Sequence, residues 1–96
     1  MTTIYDLLLS DVAKHFDQSL VSNLIHKLDT DSFYLGGQIK MNKNDVISMD
    51  LIQQSKNIAK QRLIDYGGPC NSWEMYSIQR SDKELKLIED ILKLMN

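Results

Sequence analysis

Cys70, His15 and His26 are the residues whose chemistry would be most specific if the fold brought them together. A thiol beside an imidazole is a nucleophile–base pair, and Asp11 precedes His15 by one helical turn, where a carboxylate could orient the ring. The surroundings favour a plainer reading. Asp-to-His at i,i+4 is an ordinary helix-surface pair, and Cys70 follows Pro69 as a small apolar residue in a turn. No signature of a cysteine hydrolase flanks it, so no residue is assigned a catalytic role.

Metal chemistry fares no better. His15 and His26 are eleven residues apart, about 16 Å along a helix, too far to share an ion. Asp29 and Asp31 open like a calcium loop. Position six is then Tyr34 where glycine is needed, and position twelve is Lys40 where a bidentate glutamate belongs. The pairs Gly36-Gly37 and Gly67-Gly68 do not continue to Lys-Ser/Thr, so neither is a phosphate cradle. No metal and no cofactor is expected. The carboxylate pairs Asp82/Glu84 and Glu89/Asp90 read as the solvated side of a helix.

Two binding patterns remain. Lys56 and Lys60 lie one turn apart on the stretch 50–66, with Arg62 close by and Gln53, Asn57 and Gln61 between. Cations for phosphate and amides for base edges are the makings of a recognition helix. With Lys40 and Lys43 they make residues 34–63 the only basic third of the chain, at +3, against −3 before it and −2 after it. That is little charge for nucleic acid, and a helix-turn-helix needs a preceding helix where a hairpin is expected. The second pattern is apolar and aromatic. Phe33, Tyr34, Trp73 and Tyr76 fall in extended stretches that put neighbours on opposite faces, so some of these rings face outward, while Leu87 and Leu94 lie off the apolar stripe of the last helix. Rings and leucines left outside beside the acidic N-terminal residues Asp6 and Asp11 are the chemistry of a protein-binding surface.

The elements that must position these residues follow from period and punctuation. The stretch 50–68 is the best-marked helix, with Asp50 as N-cap, Leu51, Ile52, Ile58, Ala59, Leu63 and Tyr66 as its apolar residues, Ser55 on the same face, Gly67 at C′ and Pro69 as the stop. Thr3 with Asp6 opens a helix whose stripe is Tyr5, Leu8, Leu9, Val12 and Phe16. Asp17 then caps a second helix carrying Leu20, Val21, Leu24, Ile25 and Leu28; the rival reading is one helix over 3–28. Ser32–Leu35 and Gln38–Met41 form a hairpin about a two-residue Gly36-Gly37 turn. Val46–Met49 is a third short strand, or else the helix begins at Asn44 or Asp45. Aromatic content makes 73–79 a strand, and the capping box Ser81/Glu84 starts the last helix.

The fold class expected is α+β: one small helix-dominated domain over residues 1–96 with a short antiparallel hairpin or small sheet. An all-α bundle is the alternative. At 96 residues there is room for one modest core. The longest apolar run is Leu7–Leu9, so no membrane span is expected, and a single cysteine with no visible leader points to the cytoplasm. Richness in Lys, Asn, Ile and Asp suggests a bacterial or phage source. The expected function is non-enzymatic: a small acidic inhibitor, immunity factor or adaptor that binds another protein. The alternative is a dimeric nucleic-acid-binding regulator whose dimer seam is the C-terminal helix.

Overall fold

The computed structural model describes residues 2–65 and 72–95, without the side chains of 63, 65 and 72–78. The expected C′ glycine Gly67, the stop Pro69, Tyr66 and Cys70 lie outside those residues.

Helix α1 spans Ile4–Leu9 and is capped as its sequence implies, the Thr3 hydroxyl accepting from the Asp6 N–H at 3.1 Å. It is shorter than its apolar pattern. Ser10 is extended and its hydroxyl donates to the Leu7 carbonyl at 2.7 Å, ending the helix there. The chain continues as a 3-10 helix, Val12–His15. That break turns Leu9, expected in the core stripe, 54% exposed. It also gives the Asp11 carboxylate to Lys14 at 3.1 Å instead of to His15. Helix α2 spans Gln18–Asp29, and the Asp17 carboxylate accepts from Ser19 and Leu20 N–H, so two helices form and not one. Val21, Leu24 and Leu28 face inward. Asp31 ends it in the left-handed region at φ 58, with the Ser32 N–H returned to the Lys27 carbonyl and the Asp31 N–H to Leu28. The Lys40 ammonium donates to the Asp31 carbonyl there.

Strands β1 (Tyr34–Leu35) and β2 (Ile39–Lys40) pair antiparallel in the register Tyr34↔Lys40 and Leu35↔Ile39. The loop is therefore Gly36–Gln38, one residue longer than the expected two, and both glycines have positive φ. The third strand shrinks to one bridge, Thr3↔Val46. Its segment serves α1: the Asp45 and Lys43 carbonyls accept from the otherwise unpaired N–H groups of Ile4 and Tyr5. Helix α3 spans Met49–Asp65. Its cap is Ser48, whose hydroxyl accepts from the Leu51 N–H at 3.2 Å; Asp50 sits in the first turn, where its charge suits the helix dipole.

Helix α4 is the main departure. It runs unbroken over Ser72–Met95, so the strand expected at 73–79 is its first two turns. Glu74, Met75, Gln79 and Arg80 are good helix formers, no glycine or proline intervenes, and a propagating helix carries aromatic residues at a cost of tenths of a kcal/mol each. The period-2 alternation read there has no place in a helix. Ser81 is then an interior residue, and Glu84 is 5% exposed, its carboxylate turned to Lys27. Helix α4, and not α3, is the element around which the fold is built, packing on α1, the 3-10 helix, β1 and α3. One continuous core results, with Ile4, Leu7, Leu24, Phe33, Leu35, Ile52, Ile88 and Ile91 almost fully buried. The helix-dominated α+β class with a two-stranded hairpin is the fold.

Candidate partner-binding surface

The side chains expected to bind a protein sit on different elements. Asp6 is exposed on α1 and Asp11 is exposed before the 3-10 helix. Tyr34 on β1 is 49% exposed, with the Lys40 ammonium 5.1 Å from its ring centroid. Leu94 in the last turn of α4 is 66% exposed. Leu87 is a correction. It is 7% exposed and belongs to the core, because α4 is covered on several sides and its inward arc is wider than one stripe. Trp73 and Tyr76 fall on α4, and their side chains lie outside the described residues.

The cations of the nucleic-acid pattern do not form one free patch. Lys40 is held at the end of α2 by Asp31, and Lys43 lies 5.7 Å from the Tyr5 ring centroid. Lys56, half-exposed, pairs with Glu89 across the α3–α4 seam. Arg62 is half-buried over the hairpin turn, where its Nη1 stands 2.6 Å from the place a Cβ on Gly37 would take. Lys60 is exposed and has no ion pair among the described residues.

What the sequence reading missed is the inward set of α4. Glu84 and Glu89 are both buried, contrary to the solvated surface expected of them. Each is met by a lysine from another helix. Lys27 of α2 reaches Glu84 at 2.6 Å, and Lys56 of α3 reaches Glu89, which Lys93 also approaches at 3.6 Å. The Lys56 ammonium holds the Glu89 carboxyl below its ordinary range, while burial pushes the other way and loses. The signal was present in the spacing. Glu84 precedes Ile88 by four and Ile91 by seven, and Glu89 follows Leu85 by four and precedes Leu92 by three, so both lie on the apolar arc. A further polar contact joins α1 to α2: a hydrogen bond to the Asp29 carboxylate raises the Tyr5 phenol above its ordinary value.

Two depressions open beside these residues. One, about 240 Å³, lies between α3 and α4 over Lys56, Asp82, Leu85, Lys86 and Glu89. The other, about 310 Å³, is a groove lined by Phe16, Asp90, Lys93 and Leu94. Sites for small organic ligands begin near 300 Å³, so the first is undersized and the second takes one or two side chains. Phe16 is fixed in place there by local bonds: its N–H donates to the Ala13 carbonyl, and the Gln18 amide donates to the Ala13 and Phe16 carbonyls at 2.8 and 2.7 Å. Among the described residues no three His, Cys, Asp or Glu side chains are grouped to hold a metal, and no helix is long and apolar enough to cross a membrane. The chain matches no known family, and no curated protein or solved structure is significantly similar to it.

Proposed function

We propose that this chain is a non-enzymatic protein-binding module of the cytoplasm, working as a small inhibitor, immunity factor or adaptor on another protein. One observation supports it above the rest. Leu94 stands 66% exposed on a groove that it lines with Phe16, Asp90 and Lys93, at the end of a helix whose other leucines and isoleucines between 85 and 92 are buried. An exposed aliphatic side chain next to a concave apolar surface is what a partner residue packs against. The nucleic-acid reading loses support from the pairing of Lys40 and Lys56, two of the five cations it relies on.

The test is affinity capture with the tagged chain from lysate of its source cell, with and without nuclease, and with Leu94→Glu in parallel. A stoichiometric protein that survives nuclease and is lost with Leu94→Glu is the expected result. Captured material that disappears with nuclease would replace this reading with the nucleic-acid one.

A further inference from the structure

Between residues 80 and 93 the sequence carries four cations, Arg80, Lys83, Lys86 and Lys93, and four acids, Asp82, Glu84, Glu89 and Asp90. By count this segment is neutral. The fold sorts it. Glu84 and Glu89 turn inward; Lys27 meets Glu84, and Glu89 is met by Lys56 and, at 3.6 Å, by the more exposed Lys93 of α4 itself. All four cations of α4 stay exposed. What faces water is a ridge of four cations against Asp82 and Asp90, along about 20 Å of helix. Lys86 leans toward Asp90 at 3.5 Å, a surface pair that leaves both groups solvated. Arg80 and Lys83 have no ion pair among the described residues. At its C-terminal end this ridge runs into the groove lined by Phe16 and Leu94 together with the charged pair Asp90 and Lys93.

A line of lysines ending in an apolar notch is complementary to a segment that is acidic along its length and apolar at one point. We propose that the outer face of α4 docks an acidic amphipathic segment of a partner protein. Its carboxylates lie along Lys83, Lys86 and Lys93, and one aliphatic or aromatic side chain enters the notch against Phe16 and Leu94. This rests on the binding-module reading and assigns its site and the chemistry of its partner. A nucleic-acid strand matches less well, because its phosphates recur at every step, whereas a helical segment can turn an uncharged position toward Asp82 and Asp90. It also offers no side chain of leucine's length to the notch.

The test uses the full chain, ¹⁵N-labelled, titrated with two synthetic helical peptides of equal length and apolar content. One is built on Glu and Leu, the other on Lys and Leu; a thymidine oligonucleotide is the third probe. The Glu/Leu peptide is expected to move the amide resonances of residues 79–94 and of Phe16, and to bind about tenfold more tightly than its basic counterpart at low salt. Lys83→Glu/Lys86→Glu and, separately, Leu94→Glu should each weaken it by about tenfold, with the rest of the spectrum unchanged. Equal binding of both peptides, shifts that map away from α4, or tighter binding of the oligonucleotide would overturn the assignment. A protein captured from lysate with indifference to all three substitutions would remove this site and leave the module reading standing.

Discussion

Lys56 and Glu89 join α3 to α4 unequally: the carboxylate side chain is 9% exposed, the lysine 42%. The buried partner is the one that suffers when the pair is broken. Lys56→Met should therefore destabilise the protein by about 1–2 kcal/mol, less than a fully buried pair because the lysine is half in water and Lys93 remains at 3.6 Å. Lys93→Met, at an exposed site, should stay within about 0.5 kcal/mol. Replacing both partners, Lys56→Met/Glu89→Met, should recover most of the loss, since no charge is then stranded. Urea midpoints measure all three, and an unchanged midpoint in Lys56→Met would refute the asymmetry.

The same pair sets an acid limb. Glu89 titrates lower in the folded chain than its ordinary 4.5, so its contribution is complete above that pH and is lost as pH falls through the folded value. Stability should decline on acidification below about pH 4.5, and the decline should be shallower in Glu89→Gln. Tyr5 acts at the other end. Its phenol is raised above 10.0 by the hydrogen bond to Asp29, so its contribution is present below pH 10.0 and is lost as pH rises through the folded value. In an ultraviolet titration of the four tyrosines, Tyr5→Phe should remove a late component. A loss from the early part of the curve would contradict the Asp29 contact.

Gly36 and Gly37 both require positive φ, yet their neighbours differ. A Cβ on Gly36 would stand 3.1 Å from the Ser55 Cβ and 3.2 Å from its carbonyl oxygen, atoms fixed in the body of α3. A Cβ on Gly37 would meet the far end of Arg62, which can swing aside. Gly36→Ala should lose about 2 kcal/mol, and Gly37→Ala about 1 kcal/mol, close to the left-handed backbone cost alone. Adding Arg62→Ala to Gly37→Ala should change little further. Thermal melts decide it; equal losses at the two positions would mean that the turn does not rest on α3 as described.

Much of this fold is local and was legible for that reason. Thr3 and Asp17 cap through bonds that span two or three residues, and the two glycines mark their turn by conformation alone. The misreadings have distant causes. Ser81 and Glu84 have the spacing of a capping box, but Glu84 answers to Lys27, 57 residues away, and no local rule carries that. Residues 73–79 have the aromatic content of a strand, and the helix that absorbs them is held by its packing on α1, the 3-10 helix, β1 and α3. The candidate surface was visible in Leu94 alone. Its basic ridge was hidden because charge counted along the segment cancels, and only burial of Glu84 and Glu89 uncovers it.

Leu87 and Leu94 were indistinguishable in the sequence, both off the main stripe, and the fold assigns them opposite parts. One heptad separates them, so they would lie on one side of a straight helix, yet Leu87 is 7% exposed and Leu94 66%. The difference is cover: Leu87 lies within the core cluster, whereas in the last turn Lys93 and Leu94 reach water while Met95 still packs against the core. Leu87→Ala should therefore cost about 2–4 kcal/mol, the loss of a packed side chain together with the cavity it leaves. Leu94→Ala should change stability by no more than about 0.5 kcal/mol. If the exposed leucine is a docking residue, the order reverses for binding at a temperature where both variants are folded. Leu94→Ala should then weaken capture of the partner, while Leu87→Ala should bind as the parent chain does. Urea midpoints paired with the binding measurement separate the two roles, and a Leu94→Ala protein that loses stability but keeps its partner would return that residue to the core.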